Sequence, residues 1–303
     1  MIKIWLFGSL TVAAGDDERQ QLAVAGRSAS LLAYLALGRG CYFSRSDLLG
    51  SLWPERSGAS TPGSFNTALW RLRRLIEPPP HKHGDVIVCD RRGAIGLNGS
   101  AQLWLDVEEF QHAIASGLSK PPERLTDEDI AGLEHGVALY KSDILMDMTD
   151  DWALREREKY RRDYLNALGR LIQIATIRRQ YAEGIRHAQA ILDHDALRED
   201  VHRELMQLFV LNGQRAQALR QFEHCRELLR RELAIQPMRE TMALYQKIAD
   251  SAIGGSVESV VSMPMPVPGI GAGESGARQM IDSARGYLAH ADEQLQLSLR
   301  FLV

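Results

Sequence analysis

A chain of 303 residues, 45% hydrophobic and 25% charged, is long enough to bury real cores and to hold two domains. Its 36 basic and 39 acidic residues leave a net charge of −3, and no apolar run approaches the length of a membrane span. Cys41, Cys89 and Cys225 are odd in number, far apart and without metal-ligand or redox spacing, which reads as buried thiols in a reducing, cytoplasmic compartment.

The balance of charge hides an uneven spread. Residues 1–105 hold 12 basic and 8 acidic side chains, net +4, while the remainder hold 24 and 31, net −7. A basic front on an acidic remainder points to the first third as the part that approaches nucleic acid.

Residues 2–24 read as strands with a turn at 15–17. The apolar opening superficially resembles a signal peptide, but it has a single Lys3 and is broken by Gly8, Ser9 and Thr11, and Trp5 and Phe7 suit a strand. A helix follows over 27–37, with Leu31, Leu32 and Leu35 on its core side. Ser44 opens the next one, with Asp47 three residues on. Leu48, Leu49, Leu52 and Trp53 form its apolar face and Pro54 stops it. Nine residues, 54–62, then separate this helix from the next. A tight helix-turn-helix uses three or four, so the winged variety is expected, with the loop itself a contact surface.

Helix 63–76 carries the most information. Phe65, Leu69, Leu72 and Ile76 recur at helical spacing along one side. The opposite side carries Gly63, Thr67, Trp70 and Arg74, flanked by Asn66 and Arg71. One face suits a core and the other a polar, anionic surface. After the link 78–83, two β-prone runs at 85–98 surround Arg91, Arg92 and Gly93. A basic helix followed by a hairpin with arginines at its tip is what a winged helix needs: the helix fills the major groove and the wing touches flanking backbone or minor groove.

The expected DNA-binding residues are therefore Asn66, Thr67, Trp70, Arg71, Arg73, Arg74, Arg91 and Arg92. Arginine can bond guanine O6 and N7, or a phosphate, through its planar fork. Asn66 and Thr67 lie near the start of the helix. There an asparagine can pair with adenine and a threonine methyl can meet thymine, or either can face phosphate. Trp70 either stacks on a sugar or thymine methyl, packs on a neighbouring protein, or folds back onto its own domain. Arg91 and Arg92 suit a backbone or minor-groove contact. His81 and His83 lack the cysteines or carboxylates that would complete a metal site. No nucleophile, zinc or phosphate-loop motif occurs, so neither enzyme activity nor a cofactor is expected.

From about residue 106 the chain is helical and periodic. At a shift of 34, Leu171 aligns with Leu205, Ile172 with Met206, Ile174 with Leu208 and Ala175 with Phe209. Ile185, Ala188 and Ile191 then align with Leu219, Phe222 and Cys225. This is the tetratricopeptide period, two antiparallel helices per unit. Pro237 opens a further helix through Ile248, and 127–145 and 152–173 read as additional helices upstream. The alternating charges of 155–163 are explained by pairing along a helix. Residues 254–276, rich in Gly, Pro and Ser, read as a flexible linker. An amphipathic helix follows at 277–303, docking on its own solenoid or on a partner.

The fold class is thus mainly α: a winged-helix domain at 1–105, a tetratricopeptide-like solenoid at 106–253, the linker at 254–276 and the terminal helix at 277–303. In this order the chain resembles the Streptomyces antibiotic regulatory protein family. The resemblance rests on IKIWLFGSLTV, SRSDLLGSLWPE and ALWRLRRLIEP in the front part. In the second it rests on LDVEEFQHAI, LYKSDIL, DWALREREKYRRDYLNAL and GQRAQALRQFEHCRELLRRELAIQP. It covers about residues 2–250. Asn66 stands where many relatives place a basic residue, Trp70 where a small or polar one is usual, and Ala196 in place of a common proline. The resemblance implies an OmpR-like winged helix, a bacterial transcriptional activation domain, and a transcription activator whose partners are double-stranded promoter DNA and RNA polymerase through its σ and other subunits. A homodimer, or a peptide or small signal on the solenoid, is a further possible partner, and a membrane is not. The rival is an interaction scaffold whose front domain no longer binds DNA.

Overall fold

The computed structural model describes residues 1–14, 22–54, 61–78 and 81–250. The turn at 15–17, most of the loop 54–62, the linker 254–276 and the terminal helix 277–303 lie outside the described residues.

The chain begins with a small sheet. Strand β1 (Ile2–Trp5) pairs antiparallel with β2 (Thr11–Ala14), which pairs antiparallel with β3 (Leu22–Ala23). Alternation places Ile2 and Ile4 inward and Lys3 and Trp5 outward. Helices α1 (Gly26–Leu37), α2 (Arg45–Leu52) and α3 (Thr61–Ile76) follow. The Ser44 hydroxyl caps α2 by accepting the Asp47 N–H at 3.1 Å. Helix α3 starts two residues earlier than its apolar pattern alone indicates. Strands β4 (Ile87–Cys89) and β5 (Ile95–Leu97) then form an antiparallel hairpin, and β6 (Leu103–Leu105) returns to lie parallel to β1. Three helices and a hairpin in this order form the winged arrangement.

Beyond β6 the structure is helical: α4 (Asp106–Ser119), α5 (Asp127–Leu139), α6 (Asp151–Ile177), α7 (Tyr181–His194), α8 (Glu199–Leu211), α9 (Arg215–Leu233) and α10 (Arg239–Asp250). The repeat of 34 is visible in three dimensions. Leu171, Ile172, Ile174 and Ala175 on α6 are buried, as are their counterparts Leu205, Met206, Leu208 and Phe209 on α8. The turns repeat too: the Gln180 N–H donates to Ala175 O at 2.7 Å and the Gln214 N–H to Phe209 O at 2.7 Å. Each turn passes through a left-handed residue, Arg179 (φ 59°) in the first unit and Gly213 (φ 74°) in the second. His202, buried between α8 and α9, bonds Ala196 O at 2.9 Å, so the Ala196 carbonyl fixes a turn where the proline is missing.

Several expectations are corrected. The helix expected at 127–145 stops at Leu139, because the next segment gives its backbone to the first strand region. The Gly8 N–H donates to Asp143 O, the Leu145 N–H to Leu6 O and the Met146 N–H to Gly8 O, each at 2.9 Å. The charge run at 155–163 does more than pair along its own helix. Arg157 donates to the carbonyls of Ile144 (3.1 Å), Leu145 (2.6 Å) and Met148 (3.0 Å), and Arg161 pairs with Asp143. Arg157 thus satisfies carbonyls of the non-helical segment that follows α5, and Arg161 holds a carboxylate of the same segment. Cys41 and Cys89 are exposed, and of the three cysteines Cys225 alone is buried. Cys41 sits in the turn after α1, and Cys89 ends a strand of the hairpin.

Residues 1–250 form one compact unit, and a single buried apolar cluster runs through it from Ile2 to Ile248. Phe7 packs at 5.5 Å from Phe110 and 5.0 Å from Tyr140, ring centre to ring centre. Tyr34 on α1 meets Trp152 on α6 at 5.2 Å, and Arg27 pairs with Asp150 at 2.9 Å. The Asp106 carboxylate, 3% exposed at the start of α4, accepts the N–H groups of Leu6, Phe7 and Val107 at 2.8–2.9 Å. The wing region and the repeats are therefore packed and hydrogen-bonded together.

Candidate nucleic-acid interface

The core side of α3 is set by Phe65, Ala68, Leu72 and Ile76, all buried. Phe65 lies against Trp53 with ring centres 5.7 Å apart, and the Ser28 hydroxyl of α1 donates to Ala68 O at 3.2 Å. With that stripe fixed, helical geometry turns Asn66, Thr67, Trp70, Arg71 and Arg74 outward, and all five are exposed.

Their local bonds differ. The Asn66 side-chain oxygen accepts from Arg45 Nη2 at 2.9 Å, so α2 and α3 are bridged at their outer edges. The Thr67 hydroxyl donates to Gly63 O at 2.9 Å, which engages its proton within the helix. Trp70 is 59% exposed, and the Arg74 guanidinium lies over its ring, 5.5 Å from the centroid. Arg71 lines an open cleft with Arg27, Ser28, Ser64 and Thr67.

Arg73 does not join this face. Its side chain is 11% exposed. Its Nη1 lies 2.8 Å from His83 Nδ1 and 3.8 Å from the Glu77 carboxylate. Glu77 is buried at the end of α3, where its Oε1 accepts the N–H groups of Gly84 (3.2 Å), Val86 (2.9 Å) and Ile87 (2.8 Å). Arg73 and Glu77 thus tie the helix to the base of the hairpin and fix the wing relative to it. Among the described residues, no group of three or more His, Cys, Asp and Glu could hold a metal.

The hairpin tip is built by Asp90. Its Oδ1 accepts the N–H groups of Arg92 and Ala94 at 2.8 Å each, and Gly93 supplies the left-handed residue (φ 81°) that closes the turn. Arg91 and Arg92 are both exposed at the tip. On the other side of the hairpin, Phe43 and Ile95 exchange backbone hydrogen bonds at 2.8 and 2.9 Å, which holds β5 against the segment leading into α2.

One cation of this surface escaped the sequence. Arg45, exposed at the first position of α2, lies over the Phe65 ring at 5.2 Å and bonds Asn66. Its signal was its place directly after the capping Ser44, at a helix start close to the next helix. The arrangement presents a helix with arginines and a tryptophan on its outer face, a second helix with a cation at its start, and an arginine-tipped loop. Such donors and an apolar ring on one exposed face have the chemistry that phosphates and base edges require.

Residues 105–249 match the model of the bacterial transcriptional activator domain. Regulatory protein AfsR of Streptomyces coelicolor is 24% identical over 257 residues, which cover 83% of this chain and 24% of that protein. Transcriptional regulatory protein MoaR1 of Mycobacterium tuberculosis is 22% identical over 220 residues, 72% of this chain and 70% of that protein. The solved structure of Mycobacterium tuberculosis EmbR, in complex with a low affinity phosphopeptide, superposes with a TM-score of 0.66 at 16% identity. The match covers 82% of this chain and 65% of that one, and it shows a shared fold. The chain thus spans about a quarter of the length of AfsR. The domain model and both curated relatives are those of transcription regulation.

Proposed function

We propose that this chain is a sequence-specific DNA-binding transcription regulator, an activator of the Streptomyces antibiotic regulatory protein type, acting in the cytoplasm. Helix α3 enters the major groove as the recognition helix of an OmpR-like winged helix. Arg74, Trp70, Asn66 and Thr67 face base edges, and Arg71 and Arg45 meet phosphates. Arg91 and Arg92 at the wing tip take the flanking backbone or minor groove. The bacterial transcriptional activator domain at 105–249 carries the contact to RNA polymerase. Arg73 braces the wing and takes no DNA contact.

The observation that carries this reading is the two-sided burial of α3. Its apolar stripe is sealed into the core, while a tryptophan and two arginines stand exposed on the other side. An indole left 59% exposed is a poor use of apolar area unless something covers it.

Selection of duplexes from a randomised pool by the full chain is the test. Enrichment of one sequence motif is expected. If two copies bind together, the motif repeats with half-sites about one helical turn, or a multiple, apart. A pool that stays random through successive rounds leaves the chain an interaction scaffold.

A further inference from the structure

The outer face of α3 contains a feature beyond a set of separate contacts. Trp70 and Arg74 are one turn apart, both exposed, and the guanidinium of Arg74 lies over the Trp70 ring at 5.5 Å. A cation held over an aromatic face keeps its N–H edge free, because the attraction uses the ring's π face and not the hydrogen-bond donors. Among the described residues Arg74 meets the Trp70 ring and no carboxylate at salt-bridge distance, so its fork is not committed to any of them. By contrast, Asn66 is bonded to Arg45 and Thr67 to Gly63.

We propose that Trp70 and Arg74 act as one reader of a thymine–guanine step. Arg74 forks onto O6 and N7 of the guanine, and the indole of Trp70 covers the 5-methyl group of the adjacent thymine. This rests on the proposed DNA-binding function and names the sequence element that the site takes.

The chemistry selects these bases. In the major groove guanine alone offers two acceptors side by side, matched to a guanidinium fork, and thymine alone offers a methyl group to an apolar surface. Residues four apart on a helix lie about 6 Å apart along its axis and face one direction, so they reach neighbouring base pairs. The ring also restrains the long Arg74 side chain before DNA arrives, which lowers the ordering cost of binding. Stacking on sugars or unpaired bases would place the indole differently, since a paired duplex presents base edges and methyl groups but no open π face.

The test uses the full chain and the duplex it selects from a random pool. Thymine at the step is replaced by deoxyuracil, which removes only the methyl group, and binding is measured for the wild type and for Trp70→Ala. For the wild type, the loss of one buried methyl is expected to weaken binding about three- to fivefold. For Trp70→Ala, uracil and thymine duplexes are expected to bind alike, because the partner of the methyl is gone. Replacing the guanine by 7-deazaguanine, which lacks N7, is expected to weaken the wild type and to leave Arg74→Ala unaffected. Trp70 is exposed, so the variant keeps its melting temperature, and a melting curve verifies this.

A uracil effect that persists unchanged in Trp70→Ala, or no uracil effect in the wild type, overturns the inference while leaving DNA binding intact. So does a Trp70→Ala protein that binds DNA normally yet fails to activate, which assigns the indole to a protein partner. Failure to select any duplex instead overturns the proposed function itself.

Discussion

Asp106 is where single-residue chemistry decides the architecture. Burial pushes its carboxyl up to about 6, although the backbone N–H groups of Phe7, Leu6 and Val107 pull the other way. A carboxyl raised in the folded state holds its proton there after the unfolded chain has released it. Its contribution to stability is therefore full below the ordinary carboxylate range and is lost as pH rises through about 6. The stability of the wild type relative to Asp106→Asn, followed by urea unfolding, should fall by roughly 3 kcal/mol between about pH 4 and pH 7. A difference that grows over this range would mean that the three N–H donors outweigh burial. Arg179 makes a second point. It holds φ 59° where the next repeat has Gly213, and a side chain in the left-handed region costs about 1 kcal/mol. Arg179→Gly should raise stability by about that amount, since the turn bonds are kept. A drop in melting temperature would show that the side chain contributes more than the strain removes. Neither residue was legible as special in the sequence, because Asp106 depends on a strand about a hundred positions away and Arg179 on its φ.

At the scale of elements, the buried side of α3 was legible and its bracing was not. The spacing of Phe65, Leu69, Leu72 and Ile76 foretold which side of α3 is buried, because helical period and apolarity are local properties. That Arg73 turns to Glu77 and His83 could not be read, since it depends on where the hairpin base lies. Glu77 accepts three backbone N–H groups there. Glu77→Ala should cost about 2–3 kcal/mol by leaving them unpaired, whereas Glu77→Gln, which keeps an acceptor, should cost much less. Equal losses in denaturant titrations would contradict the bracing role. On DNA the two arginine sites should separate. Arg74→Ala should cost about 1–3 kcal/mol and relax preference at one base pair, while Arg92→Ala should weaken all sequences alike and lower the salt slope by about one. Equal losses on selected and random DNA for both variants would remove this division of labour. The break after α5 was illegible for a related reason. Residues 140–145 keep a helical pattern, but their hydrogen bonds go to β1's continuation, a tertiary pairing that no local pattern encodes.

For the whole molecule, the 34-residue period revealed the solenoid because each repeat buries the same positions against its neighbours. The sequence pattern also separated a basic front from an acidic remainder. What it did not reveal is how firmly residues 1–250 are joined. Phe7, Tyr34 and Trp152 bury side chains across the boundary near residue 105, and Arg27 reaches Asp150. Under the proposed function, a joint of this kind would set the direction in which the solenoid points from a bound duplex and so present the proposed polymerase contact in a fixed orientation. All of this depends on α3 and the wing meeting DNA, and the salt dependence of binding tests that most directly. Phosphates met by Arg45, Arg71, Arg91 and Arg92 release counterions, with a log–log slope of about −0.9 for each one neutralised. The full chain on its selected duplex should show a slope of about −3 to −5, losing roughly a hundredfold in affinity between about 50 and 200 mM salt. An affinity that stays flat across that range, or no binding at its lowest salt, would contradict DNA recognition by this surface.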